Sequence, residues 1–440
     1  MPSGSSPKSA ALFERAKKIL PGGVSRNTLL RGAHPLYVAH GKGCKVMDID
    51  GVERLDFANN MAAHIHGHAF GPIVEAVSEQ LQLGTAFTMA TEAEVRYGEH
   101  LCARSPNFDK VRFVNSGTEA VMAGMKAARA FTGRPKIAKV EGSYHGAYDY
   151  AEVSQAPLPE NWGTQMRPNA VPLAQGTPQA VLEDMIIIPF NDPEAAIKIL
   201  NEHAGQIACV LIDPIPHRIG MVPAAAEFVA ALRKWTLENG ALLMFDEVIT
   251  FRTEVGGMQE RFDFAPDLTS LGKMIGGGFP VGALAGRDAV MNVFVDGRLP
   301  HSGTFSANPI TMTAGRVAME FFDEQATLRL NQLGKYVEES LKSVIKIADI
   351  PACVTGTGSL FRLHLKADPP KNFRDLHAAM HEKQAMSALI DCLYDEGIMM
   401  IHTGALTLST PMGHAEIDRL SEALLKSLRS VKALLQGWGG

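Results

Sequence analysis

Between about Phe70 and Phe322, helix-forming stretches alternate with short apolar runs at 111–114, 136–140, 185–189, 208–213 and 242–248, and no other feature constrains the fold as tightly. Strands that are apolar on both faces and joined through helices have one common solution, a mainly parallel α/β sheet covered by helices on each side. The flanking segments read differently. Leu12, Ala16, Ile19 and Leu20 offer the apolar stripe of an opening helix that stops at Pro21-Gly22-Gly23. Leu333, Val337, Leu341 and Val344 mark one later helix, and Ile417, Leu420, Leu424, Leu428, Val431 and Leu435 another, with strands expected over 353–365 and 397–410. The expected organisation is an arm at 1–69, a large α/β domain at 70–322, and a small α+β domain at 323–440 that the arm joins. With 440 residues, 46% of them apolar, the chain can fill two cores.

The charge balance narrows the partners. There are 42 basic and 47 acidic residues, a net of -5, and no Lys/Arg block of the kind that tracks a phosphate backbone, so nucleic acid is not expected. The five cysteines, Cys44, Cys102, Cys209, Cys353 and Cys392, are scattered and show no CxxC spacing, which fits a reducing cytoplasm. Residues 1–7 are polar, no apolar leader follows them, and no run approaches a membrane span, so the expectation is a soluble, unexported protein.

Chemistry-bearing residues collect at the strand ends. After the run 111–114 comes Asn115-Ser116-Gly117-Thr118-Glu119, where Ser116 and Glu119 have capping-box spacing and start the helix 120–131. The free amides and positive end of that helix, with the Ser116 and Thr118 hydroxyls and the closely approachable Gly117, make an anion site. Asp246 ends another apolar run, where a carboxylate needs a cation, and a protonated pyridine nitrogen is one. Tyr144 and His145 follow a third strand end and can lay an aromatic face on a ring. Lys273, on the small-residue turn 270–280, supplies an amine able to hold an aldehyde cofactor. The proline-rich stretch 151–184 has little periodicity and is expected to act as a lid.

Asn115–Ala120, Tyr144-His145-Gly146, Phe245–Val248, Pro266–Lys273, Gly276–Gly282 and Gly303–Pro309, with Pro21–Val24 and Gly67-His68, resemble in order the motif series of the class III aminotransferases, nearest the branch of glutamate-1-semialdehyde aminomutase. The resemblance implies fold type I, with a mainly parallel seven-stranded-type central sheet, pyridoxal 5'-phosphate as cofactor, and a homodimer with its active site at the subunit interface. It implies Lys273 as Schiff-base lysine and proton shuttle, Asp246 on the pyridine nitrogen, Ser116, Gly117 and Thr118 as the phosphate cup, and His145 among the cofactor-binding residues. It also implies Tyr144 and Val248 on the two ring faces, and Thr304 reaching the phosphate in the partner subunit.

The chain departs from the aminomutase pattern at Arg26, at Asn60-Met61-Ala62, and at Asp213-Pro214 followed by Pro216-His217-Arg218. Pro21-Gly22-Gly23 followed by Arg26 resembles relatives acting on β-amino or aromatic amino acids. The expectation is therefore an aminotransferase with a small amino donor and an oxo acid acceptor, Arg26 gripping a carboxylate, Met61 and Ala62 lining the side-chain pocket, and Arg218 as a second candidate. An aminomutase or a racemase would use the same cofactor residues. Two readings of other classes are weaker: a metal hydrolase built on His64-Ile65-His66-Gly67-His68, and a nicotinamide dehydrogenase built on the glycines at 276–278.

Overall fold

In a computed structural model that describes residues 6–436, seven strands form the central sheet. They are β1 (Lys110–Val114), β2 (Lys136–Val140), β3 (Met185–Ile188), β4 (Ile207–Ile212), β5 (Leu242–Asp246), β6 (Leu268–Gly272) and β7 (Gly282–Gly286). Their spatial order is β1-β7-β6-β5-β4-β2-β3, and β7 alone runs antiparallel to its neighbours β1 and β6. Neither β6 nor β7 stands out as an apolar run, since Leu-Thr-Ser-Leu-Gly and Gly-Ala-Leu-Ala-Gly carry few large side chains; both are nevertheless fully buried.

The two faces of the sheet alternate residue by residue. Cys209, Leu211, Leu242 and Met244 pack with Val121 and Met125 of the helix Gly117–Thr132, whereas Val210, Ile212, Leu243 and Phe245 pack with Phe228, Leu232 and Trp235 of the helix Ala226–Asn239. This period-two alternation buries both faces of the sheet, as expected where helices cover each side. Because the parallel strands share a direction, their carboxyl ends open on one edge of the sheet, the position where open α/β sheets hold ligands.

A second layer joins the two ends of the chain. Strands Val38–Lys42, Lys45–Asp48 and Glu53–Asp56 form a sheet with Ile398–Met399, with Ile398 in register opposite Leu55. Helices Glu324–Ala348 and His414–Gln436 present the stripes read from the sequence, with Leu333, Val337, Leu341, Leu420, Leu424 and Leu428 buried in one cluster.

The opening helix differs from its expected form. It spans Pro7–Ala16 and buries Phe13 and Ala16, while Ile19, beyond its end, is 80% exposed. Residues 1–5 of the polar start lie outside the described residues. The segment 151–184 is not structureless: it holds a two-stranded hairpin, Gly163–Thr164 with Arg167–Pro168, and a short helix, Gln179–Glu183. Arg374 clamps that hairpin, donating to the carbonyls of Trp162 at 2.8 Å and Gly163 at 2.9 Å while pairing with Glu141. All five cysteines are free, and no helix among the described residues is long and apolar enough to cross a membrane.

Candidate active site

A cavity of about 550 Å³ opens at the carboxyl ends of the strands. Its wall holds Asn115 to Thr118 after β1, Tyr144, His145 and Gly146 after β2, Asp213 after β4, Asp246 and Val248 at the end of β5, and Lys273 directly after β6. Segments scattered over more than a third of the sequence thus meet because a parallel sheet gathers its strand ends.

Asp246 is buried and is held from two sides. Its Oδ2 accepts from His145 Nδ1 at 2.7 Å and its Oδ1 from the Val248 amide at 3.1 Å. Because the carboxylate accepts, the imidazole proton sits on Nδ1, which leaves Nε2 as an acceptor; that atom is buried without a partner. Burial pushes the His145 imidazolium down, against the opposing pull of Asp246. Asp213 is also buried, and burial together with the nearby Asp246 charge holds its carboxyl well above the usual carboxylate range.

Lys273 faces these acids. Lost hydration pushes its ammonium below the ordinary lysine range, and Asp246 and Asp213 pull it back up. Its backbone has φ of 51°, a left-handed conformation that costs a β-carbon residue about 1–2 kcal/mol and that clusters at functional sites.

The turn after β1 caps its helix as the spacing predicts. Ser116 Oγ accepts from the Glu119 amide at 3.1 Å, while Glu119 Oε2 reaches back to the Asn115 amide at 2.7 Å. Thr118 Oγ1 likewise accepts, from the Ala147 amide at 3.2 Å. Both hydroxyl protons therefore remain able to donate to an anion, beside the first amides of the helix, which have no intrahelical acceptor. Gly117 is required here: a β-carbon at this position would come within 2.9 Å of Val248, which lines the cavity next to it. Gly146, with φ of 97°, lets the loop after β2 lie against Thr118, where a β-carbon would come within 2.5 Å of its hydroxyl oxygen.

That loop is fixed from beneath by a residue the sequence did not single out. Lys139 in β2 is wholly buried and donates to the carbonyls of Ser143 at 3.0 Å, Ala151 at 2.7 Å and Val153 at 2.8 Å. Burial pushes its ammonium down to about 7. The Lys139→Met protein is expected to lose about 2–4 kcal/mol of stability, since three buried carbonyls lose their donor; a urea midpoint equal to that of the parent would contradict this.

The substrate-side candidates separate. Arg26 lines the cavity, and its Nη1 donates to Asn60 Oδ1 at 3.0 Å. Asn59, Asn60, Met61 and Ala62 all have positive φ, of 44°, 47°, 57° and 71°, a left-handed turn held by Asp56 Oδ1 and by the Asn59 Nδ2 bond to the Thr407 carbonyl. This turn sends Asn60 to the cavity and Met61 to an adjoining one of about 420 Å³, walled mainly by apolar side chains, which shares Arg26 and Asn60 with the first. Ala62 does neither. It is buried against Met258 and Ile401, and its carbonyl accepts from Arg252 at 3.3 Å, because the left-handed turn points it inward. Thr304 is exposed and away from the cavity of its own chain, and Arg218 lies outside the cavity wall but within electrostatic reach of Tyr144. No residue of 151–184 lines the cavity.

The histidine run does not form a metal face. Gly67, with φ of 69°, turns the chain, so His66 is buried between Thr410 Oγ1 at 2.9 Å and the Ala318 carbonyl at 2.8 Å, while His68 pairs with Asp56 at 2.7 Å. Among the described residues no group of three or more His, Cys, Asp or Glu could hold a metal ion. The glycines at 276–278 belong to the turn after Lys273 and do not follow the first strand of a dinucleotide unit.

The arrangement can hold a flat cationic ring bearing a phosphate and present an amine to it. Comparison with known proteins agrees with that chemistry. The model of the family "Aminotransferase class-III" matches residues 29–428. A glutamate-1-semialdehyde 2,1-aminomutase of Methanothermobacter thermautotrophicus is 39% identical over 370 residues, covering 84% of this chain and 86% of its own length. The crystal structure of an omega-transaminase from Sphaerobacter thermophilus superimposes with a TM-score of 0.94 at 44% identity, over 98% of each chain. A beta-phenylalanine aminotransferase from Variovorax paradoxus gives 0.88 at 33% identity, over 98% of this chain and 95% of its own.

Proposed function

The chain belongs to the class III aminotransferases, enzymes that depend on pyridoxal 5'-phosphate, and on that premise we propose that it transfers an amino group from a β-amino or aromatic amino acid to a 2-oxo acid. One observation carries the reading: an amine (Lys273), a buried carboxylate (Asp246), an anion-binding turn (Ser116–Thr118) and a guanidinium at the rim (Arg26) share one cavity. The residues fit the cofactor, since the glycine at 117 leaves Val248 room beside the turn and the Ser116 and Thr118 hydroxyls, which accept from the chain, keep their protons for a phosphate.

When bound, pyridoxal phosphate supplies an aldehyde that condenses with amines and a ring that withdraws electrons from the carbon to be deprotonated. Asp246 would favour a positive charge on the ring nitrogen, and His145 fixes that carboxylate through Nδ1. Ser116, Gly117 and Thr118 would hold the phosphate, and Val248 and Tyr144, on the same cavity wall, would contact the ring. Lys273 Nζ, biased toward its neutral form by lost hydration, takes the proton from the substrate carbon and returns it elsewhere. Arg26, steadied by Asn60, grips the donor carboxylate, and Met61 lines the neighbouring apolar cavity where an aryl group is accommodated.

A homodimer accounts for Thr304. It stands exposed beside Phe305, which is 62% exposed, and serves the partner's phosphate site in this reading. The second reading is an aminomutase, which the name of the Methanothermobacter relative favours. Against it stand the Asp213-Pro214-Ile215-Pro216-His217-Arg218 segment and the absence of any 151–184 side chain over the cavity.

A half-reaction separates them. Mixed with β-phenylalanine, the holoenzyme is expected to convert its aldehyde cofactor to the amine form and release a keto acid into solution. Isomerised substrate with no free keto acid would sink the aminotransfer reading. Arg26→Ala is expected to raise the donor KM about 10- to 100-fold, the cost of one charge-assisted carboxylate contact, with cofactor absorbance intact; an unchanged KM removes Arg26 from the donor site.

A further inference from the structure

The loop after β2, which carries Tyr144 and His145, hangs between two glycines. Gly142 and Gly146 both have positive φ, of 80° and 97°, so the three residues between them lack a stiff backbone neighbour on either side and need anchoring from outside. At one end Gly146 rests on Thr118. At the other the anchor comes from the far part of the chain. A β-carbon on Gly142 would lie within 2.1 Å of the Phe373 ring, which fills that notch and packs against the apolar cluster on one face of the central sheet. Phe373 belongs to the connection between the strand Leu360–His364 and the helix Met380–Asp395 of the second layer.

Arg374 holds the same place by charge. Its guanidinium forms a two-point pair with Glu141, Nε to Oε2 and Nη2 to Oε1, both at 2.9 Å, and Glu141 is buried directly before Gly142. The connection is itself braced, since Asn372 Oδ1 accepts from the Arg374 amide at 2.9 Å and Asp375 Oδ2 from the Lys371 amide at 2.8 Å. It also seats a second loop. At Gly220, with φ of 86°, a β-carbon would come within 2.9 Å of Pro370 and 3.3 Å of Leu376, and Gly220 lies in the loop after β4 that begins at Asp213. Tyr144, His145 and Asp213 line the cavity, whereas no residue of 370–376 does. The connection therefore touches the walls of the site and not its interior.

We infer that Phe373 and Arg374 are positioning residues for the cofactor: from the second layer they fix the loop 142–146, so that His145 Nδ1 meets Asp246 and Tyr144 stands on the cavity wall. The second layer and the cofactor site are then coupled. Coupling between two sites is reciprocal, so filling the cavity must also steady the connection 370–376. The inference rests on the reading of the cavity as the cofactor site and is independent of which donor is used.

The test titrates the full-length protein, stripped of cofactor, with pyridoxal phosphate and follows amide deuterium exchange with and without it. Phe373→Ala and Arg374→Met are each expected to raise the pyridoxal phosphate Kd about tenfold and to speed exchange over 142–148, while β4 and β5 keep the rates of the parent. Arg374→Lys keeps the charge and loses the two-point geometry, so it should recover only part of the affinity. In the wild-type protein the cofactor is expected to slow exchange over 370–376. A Kd within twofold of the parent in both variants, with only the melting temperature lowered, would reduce the two residues to scaffold and overturn the inference. Exchange over 370–376 that ignores the cofactor would overturn it as well, and that result needs no variant to fold. Wild-type protein that holds the cofactor at a lysine other than Lys273 would overturn the cavity reading and this inference with it, whereas the variant outcomes bear on this inference alone.

Discussion

Lys273→Ala is expected to lower kcat by on the order of 10⁴-fold and to abolish the visible absorbance of the lysine-bound cofactor, while the protein stays folded. The size follows from losing at once the two roles proposed for Lys273, covalent anchor and proton carrier. Among the residues lining the cavity, Lys273 alone carries an amine. Folding should survive, because no hydrogen bond of its side chain is present among the described residues and the left-handed backbone, φ 51°, costs alanine as much as lysine. Reconstitution with pyridoxal phosphate, followed by borohydride and intact mass, reads the anchor directly. A variant that keeps the mass adduct would move the anchor to another residue. Partial recovery of turnover by added methylamine would separate the lost proton carrier from any loss of structure.

How far such a site can be read from sequence depends on whether one segment carries the signal. The capped turn after β1 was legible because Ser116, Gly117 and Glu119 cap their helix within four residues, and the structure shows the bonds their spacing requires. Asp246 was legible because it closes an apolar run. Strands β6 and β7 were not, since burial on both faces removes alternation and small residues remove bulk. The alternating histidines carried little weight as a metal face because a glycine at 67 loosens a strand, and in the structure Gly67 turns the chain and His66 lies in the core. Ala62, expected in the side-chain pocket, is instead buried, because a left-handed turn of four residues directs it inward, which the residue types alone do not reveal. Lys139 left no local trace at all: its meaning lies in three carbonyls brought together around it by the loop after its strand, whose positions no residue type reveals.

Asp246→Asn is expected to lower kcat by on the order of 10³-fold, about 4 kcal/mol of transition-state stabilisation, with the fold and the His145 contact retained. The substitution keeps the shape and an acceptor oxygen for His145 Nδ1, so geometry changes little; what it removes is the negative charge proposed to hold a positive charge on the ring nitrogen. The adjacent acid provides the contrast. Glu247 is wholly buried, accepts from the Met258 and Gln259 amides at 2.6 and 2.9 Å, lies off the cavity wall, and is pushed up to about 7 by burial. Glu247→Gln should therefore leave kcat within about threefold of the parent and act, if at all, on stability. If Asp246 were only a loop-holding acid like its neighbour, both variants would show the same small change in kcat and the same loss of stability. A kcat for Asp246→Asn within tenfold of the parent would thus assign the ring charge to another group, with Asp213, buried and within the same cavity, the first to examine.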